Sequence, residues 1–281
     1  MSAQKVWFIT GASRGLGFEI AKAALASGHK IVATARKTQD LISVANLGSP
    51  DRVLLTALDV TDERQAKEAA RLAVEAFGRI DVLVNNAGYG LLGAIEEASD
   101  QEVRRVYEVN VFGLLNVTRA VLPCMRAQRS GHVINMSSGG GLSGTAGWGV
   151  YGSTKFAVEG ISETLAHELA PCGVHVTAVE PGFFRTNFLD GTSLVQTAAI
   201  IDDYAESAGR MRAMAAQFNK QQPGNPAKLA QALLRVAEAE LPPVHLPLGN
   251  DTLAAYETKT GAFQREINEW RAVITDTSYD G

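Results

Sequence analysis

Short apolar runs alternate with longer stretches of mixed polarity from the N-terminus to about residue 180. The runs at 6–10, 30–35, 52–58, 82–85, 132–136 and 175–179 are rich in Val, Ile and Leu and apolar at consecutive positions. A strand of that kind is covered on both faces, as in a parallel sheet sandwiched between helices. The intervening segments 15–27, 62–77, 100–129 and 151–170 carry the period of amphipathic helices, so the βαβα alternation predicts an α/β fold. Past residue 182 the rhythm changes. Residues 183–222 mix polar, Ala-rich and aromatic positions with no clear strand, and a long insertion of this kind in a compact domain suggests a lid over a binding site. Asn225-Pro226 then marks a helix start, with asparagine as cap and proline at the first position. Residues 227–240 read as that helix, 244–248 as a last strand, and 250–281 as a C-terminal extension with a final helix at 250–272 and a frayed end. No linker divides the chain, so 1–281 is expected to be a single domain.

Composition narrows the class. The chain has 281 residues, 46% of them hydrophobic and 20% charged, with a formal net charge of −4 and no basic block. A nucleic-acid surface needs clustered Lys and Arg, so no nucleic-acid partner is expected. Cys124 and Cys172 follow no metal-ligand or CxxC spacing, which predicts small packing residues and no metal. No apolar run has the length of a membrane span or a secretion signal, so the expected address is cytoplasmic with no membrane partner.

Two clusters carry chemistry. Thr10-Gly11-Ala12-Ser13-Arg14-Gly15-Leu16-Gly17 lies between the first predicted strand and the first helix. Glycines there let the backbone approach a pyrophosphate, and the helix N-terminus offers free N–H groups and positive potential. The second strand ends in Ala35-Arg36-Lys37, where an NAD enzyme usually places an acid against the ribose hydroxyls. Arg36, with Arg14 in the glycine loop, suits a 2′-phosphate and favours NADP(H); a solvated basic turn is the competing reading. The second cluster, Tyr151-Gly152-Ser153-Thr154-Lys155, opens a predicted helix and sets a phenol and an ammonium on one face. A nearby cation is expected to lower the tyrosine pKa toward neutrality.

Together with Asn85-Asn86-Ala87-Gly88, Asn110, Ser138 and Pro181-Gly182, in this order and at these spacings, the two clusters resemble the short-chain dehydrogenase/reductase family over residues 5–190. The resemblance implies a Rossmann-type, doubly wound, seven-stranded parallel sheet in the order 3-2-1-4-5-6-7, with helices on both faces. It implies four catalytic residues. Tyr151 would exchange the hydroxyl proton, Lys155 would tune it and hold the nicotinamide ribose, Ser138 would bind the substrate oxygen, and Asn110 would hold a relay water or satisfy buried backbone groups. Ser137 fits the spacing less well and reads as a structural hydroxyl. For the cofactor it implies Gly11, Ser13, Arg14, Gly15, Leu16, Gly17, Arg36, Asp59, Asn85, Ala87, Gly88, Pro181, Gly182, Phe183 and Thr186, besides Tyr151 and Lys155.

The substrate side reads as mostly apolar, from Tyr89, Leu91, Leu142, Trp148, Phe183, Phe184, Phe188 and the lid; each aromatic could equally fill core. Arg185 could bind a carboxylate but serves a cofactor or surface role as readily. A neutral, moderately hydrophobic ketone and its secondary alcohol are the expected small-molecule partners. The alternatives are an epimerase or dehydratase on the same fold, or a non-catalytic NADP-binding sensor or scaffold. Apolar positions on several faces of segments 100–129 and 151–170, in a family that commonly pairs these helices, predict a homodimer or homotetramer.

Overall fold

The computed structural model describes residues 3–191 and 193–279. Met1, Ser2, Thr192, Asp280 and Gly281 lie outside them, and with them one position of the expected lid and the last two of the expected frayed end. Seven strands form one sheet: β1 (Val6–Ile9), β2 (Lys30–Ala35), β3 (Val53–Ala57), β4 (Val82–Asn85), β5 (Gly131–Met136), β6 (Val174–Pro181) and β7 (His245–Leu248). Every neighbouring pair is parallel, and the order is 3-2-1-4-5-6-7, a Rossmann-type doubly wound sheet.

Alternation along each strand explains the two layers. In β1, Trp7 and Ile9 face a core completed by Ile20 and Ala24 of helix α1 (Gly15–Ala26) and by Leu229 and Leu233 of the helix Pro226–Glu238. Val6 and Phe8 face the other way, onto Ala66 and Ala70 of the helix Glu63–Phe77 and Val117 and Val121 of the helix Leu114–Gln128. Since successive strand residues point to opposite faces, only a run apolar at every position can serve both layers. The predicted cap is present: the Asn225 side chain accepts from the backbone N–H groups of Ala227 and Lys228, with Pro226 next in the chain.

The predicted helix 100–129 is interrupted. Asp100–Tyr107 passes into a wide π turn over Glu108–Gly113 before Leu114–Gln128 resumes. Such turns often sit at functional sites. Here the turn carries Asn110 inward, 2% exposed.

The order of β1 and β4 in the sheet creates the crevice. The chain winds one way from β1 to β3 and the other way from β4 to β7, so loops leaving the carboxyl ends of β1 and β4 diverge and leave a cleft.

The segment 183–222 contains a strand that its composition hides. Leu194–Gln196 pairs in parallel with Gly90–Leu92. Further along, a helix spans Arg210–Phe218. Arg212 forms an ion pair with Glu97, a carboxylate that is 2% exposed and also accepts from Ile201 N at 2.9 Å. The Ala198 amide donates to Glu102 at 2.9 Å and the Tyr204 hydroxyl to Glu96 at 2.6 Å. Among the described residues no helix is long and apolar enough to cross a membrane.

Candidate active site

The glycine loop leaves β1 and opens directly into α1. Gly11 has φ +63°, a left-handed conformation that costs glycine little. A Cβ on Gly17 would lie 2.4 Å from the Gly11 carbonyl oxygen, so only glycine lets the helix start this close beneath the loop. The N-cap residue Arg14 does not cap the α1 N-terminus with its side chain, and a helix N-terminus opening from a glycine loop favours an anion. Asn86 closes the loop from the β4 side: its Nδ2 donates to Thr10 O at 2.8 Å and Gly11 O at 3.0 Å.

A cavity of about 1450 Å³ runs from this loop to the C-terminal ends of β5 and β6. A drug-sized site spans roughly 300–1,000 Å³, so this one has room for a dinucleotide and a small molecule together. Gly11, Ser13, Arg14, Gly15, Leu16, Arg36, Asp59, Ala87, Gly88, Pro181, Gly182, Phe183 and Thr186 line it, as do Ser138, Tyr151 and Lys155. The cleft therefore fits the expected cofactor along its length.

Three expected residues stand elsewhere. Gly17 acts from beneath the loop. Asn110 backs the wall, its Nδ2 donating to Tyr89 O at 2.9 Å and Thr154 Oγ1 at 3.1 Å while its Oδ1 accepts from Tyr89 N. Asn85 turns away from the cleft and donates to Thr118 and Asn135, each at 2.9 Å, in the helix-covered interior. Of the expected pocket residues, Tyr89, Trp148, Phe183, Phe184 and Phe188 line the cavity. Leu91 instead packs with Val106 and Val150, and Leu142 is not part of the wall.

The helix Gly149–Leu169 brings Tyr151 and Lys155 to one face. The Tyr151 ring is clasped by Trp148 and Phe188, at centroid distances of 5.6 and 5.9 Å. Burial pushes its pKa up to about 12, and the Ser138 hydroxyl pulls in the opposite direction. Ser138 caps the turn Gly139–Gly141, its Oγ accepting from Gly140 N at 3.1 Å. The Lys155 ammonium donates to Met136 O at 2.8 Å and lies 5.7 Å from the Tyr151 ring centre. Burial brings it down to about 8, with the Glu159 carboxyl partly opposing. The lowering of the phenol expected from this lysine does not prevail: the ammonium is held by a backbone carbonyl on one of its three donors, and burial dominates the tyrosine.

The model for short chain dehydrogenases matches residues 5–195. The chain belongs to the short-chain dehydrogenase family. It is 38% identical over 267 residues to the oxidoreductase BOA17 of Botryotinia fuckeliana, covering 95% of this chain and 97% of that one. It is 37% identical over 246 residues to a 3-ketodihydrosphingosine reductase of Bacteroides thetaiotaomicron, covering 87% and 88%. A short-chain dehydrogenase structure from Streptomyces avermitilis superposes with a TM-score of 0.92 at 41% identity, over 99% of this chain and all of that one. At 26% identity, a Burkholderia phymatum member is in complex with NAD (TM-score 0.82, 94% and 95% covered), and a Thermococcus sibiricus alcohol dehydrogenase with 5-hydroxy-NADP (TM-score 0.72, 88% and 96% covered).

Sequence reasoning about this short-chain dehydrogenase passed over Asn86, which ties the glycine loop, and Asp251, which reaches the Pro181-Gly182 loop from the C-terminal extension. The Asn-Asn pair was a signal for the first; nothing local signals the second.

Behind the serines of this short-chain dehydrogenase, Glu159 and Glu180 share a buried niche with His245, whose Nδ1 lies 3.2 Å from both carboxylates. The Ser137 hydroxyl lies in the same niche beside Glu159 and opposes the rise that burial imposes on that carboxyl. Burial, reinforced by Glu159, raises Glu180 to about 9 from an ordinary 4.5. The native state therefore keeps a proton that the unfolded chain releases near pH 4.5, so this group's contribution makes stability fall as pH rises from about 4.5 to 9. Glu180→Gln is expected to flatten that slope and to raise the melting temperature at pH 8.5 relative to wild type. Calorimetric scans from pH 5 to 9 check it, and an unchanged slope would assign the dependence to other groups.

Proposed function

We propose that this protein is an NADPH-dependent oxidoreductase that interconverts a neutral, moderately hydrophobic ketone and its secondary alcohol, with Tyr151 as acid/base. The observation that carries the reading is the convergence of Tyr151, Ser138 and Lys155 on one wall of the cleft, beneath an apolar shell of Trp148, Phe188, Leu189 and Met211. The nicotinamide supplies or accepts the hydride. Ser138 is placed to donate a hydrogen bond to the substrate oxygen, and Tyr151 to pass it a proton or take one. Lys155, half-neutral near pH 8 in the buried site, is the residue beside Tyr151 through which that proton can be replaced. The Asn110 amide holds the Tyr89 backbone and borders Gly88 close to Lys155. Arg185 donates to Gln222 O at 3.0 Å and is not part of the cavity wall, which argues against its binding a substrate carboxylate.

The test is loss of 340 nm absorbance with NADPH across a panel of ketones. The panel should include long-chain keto amines, the class suggested by the name of the Bacteroides relative. Reduction of none of them would overturn the reading.

Cofactor choice rests on Ala35 at the end of β2 and Arg36 on the cleft rim. NADPH is expected to bind at least about tenfold more tightly than NADH, or about 1.4 kcal/mol. Arg36→Ala should erase most of that difference and Ala35→Asp shift it toward NAD. Titration by cofactor fluorescence reads both, and equal affinities in the unmodified protein would refute NADP preference.

The partners include a second copy of the chain. Phe112 and Phe156, on the two helical segments expected to pair, are 49% and 44% exposed. Light scattering at micromolar concentration is expected to report a dimer or tetramer, and a monomer would contradict it.

A further inference from the structure

The long C-terminal helix Asn250–Glu269 begins against the Pro181-Gly182 and Ser138 loops although it lies far along the chain from both. Gly249 turns into it at φ +114°. The Gly182 amide donates to Leu248 O at 2.9 Å, continuing the β6–β7 pairing past the ends of the strands. Asp251 follows, and its Oδ2 accepts from the Phe183 amide at 2.8 Å. A Cβ on Gly182 would fall 2.1 and 2.2 Å from the two Asp251 oxygens, so the glycine is the cradle in which this carboxylate sits. Thr252, 2% exposed, packs on Gly139, the residue after Ser138. Asp251, Thr252 and Ala255 all line the cavity.

Phe183 is held from three sides. Its amide is spent on Asp251, its carbonyl accepts from Gly224 N at 3.0 Å, and its ring meets Phe218 edge-on at 5.3 Å. The residue at the root of the lid therefore has its backbone N–H committed within the protein, and its conformation is dictated by the C-terminal helix and by Gly224. A carboxylate in the first turn of a helix is itself favoured by the dipole, which makes Asp251 a stable anchor point.

We propose that Asp251 is a positioning residue for the nicotinamide half of the cofactor. By fixing the Phe183 amide it sets the path of Pro181-Gly182-Phe183, while Thr252 supports the loop bearing Ser138, so that one helix turn sets the spacing between the two walls of the reaction centre. The inference rests on reading the cleft as a dinucleotide site.

The experiment compares binding of NADPH, NADH and adenosine 2′,5′-bisphosphate, which lacks the nicotinamide, to wild type and to Asp251→Ala, Asp251→Asn and Asp251→Glu, with melting temperature as the control. Loss of a hydrogen bond to a charged acceptor in the site is expected to weaken both dinucleotides about tenfold in Asp251→Ala, leaving the bisphosphate unaffected. Asp251→Asn keeps an acceptor of the same reach and is expected to restore most of the affinity. Asp251 is exposed, so the alanine variant is expected to fold. If it melts without cooperativity, Asp251→Glu carries the same test, because the extra methylene displaces the carboxylate from the amide. Unchanged dinucleotide affinity in a folded variant would overturn the proposal. So would equal loss of dinucleotide and bisphosphate, which marks a general structural role. If wild type binds the bisphosphate and neither dinucleotide, or binds none of the three, the cofactor reading itself fails and takes this inference with it.

Discussion

Tyr151→Phe is expected to cut turnover by about three orders of magnitude, within the range for losing a general acid/base, while NADPH binds as before. The substitution keeps the ring that Trp148 and Phe188 clasp and removes only the oxygen. Its packing effect is therefore small and its chemical effect complete. Gly140 N still donates to the Ser138 hydroxyl, so the serine stays in place. A variant reducing its best ketone at more than a tenth of the wild-type rate would remove tyrosine from the acid/base role. The raised pKa of about 12 adds a second expectation. Reduction needs the protonated phenol, and a phenol this high stays protonated across the physiological range, so any fall in turnover as pH rises through that range is set by other groups.

Ser138→Ala is expected to lower turnover by about a hundredfold or more, the scale seen when one oxyanion donor is lost. Ser138 supports the site in two ways, since its hydroxyl lines the cleft beside Tyr151 and its oxygen caps the Gly139–Gly141 turn. Ser138→Thr keeps the hydroxyl and with it both roles, so it is expected to retain turnover that the alanine variant loses. The loss should appear in kcat rather than in the affinity for NADPH, measured by stopped-flow reduction of a single ketone. An unchanged kcat in the alanine variant would leave charge stabilisation at the substrate oxygen to another donor.

The sheet was legible because burial on both faces forces apolar residues at consecutive positions, as in Val6 to Ile9, a pattern that no exposed segment needs. The glycine loop and the Tyr151/Lys155 pair were legible because their chemistry is local, set by residues within one turn. What escaped depends on contacts far apart in sequence. Asn85 and Asn86 are equivalent on paper; only the register Asn85↔Asn135 turns the first inward and leaves the second facing the loop. Leu194–Gln196 is a strand because Gly90–Leu92 offers it an edge, and its own residues carry too short a pattern to show it. The lysine was expected to act on the phenol because the two share a helix face, but the Met136 carbonyl competes for the same ammonium, and that carbonyl comes from a different strand.

The Glu97–Arg212 pair bears on how this enzyme's substrate range can be rebuilt. Segment 183–222 would be the natural piece to exchange for that of a relative, because it carries much of the apolar wall and is entered and left at adjacent points, Phe184 facing Gly224. Its buried cation, however, is matched by a carboxylate that belongs to the recipient scaffold. A graft lacking arginine at position 212 would strand Glu97 without its counter-charge, a defect of several kcal/mol by the usual cost of breaking a buried pair. Chimeras should therefore be designed as two-piece transplants, in which the turn Ile95–Glu97 travels with the segment it anchors.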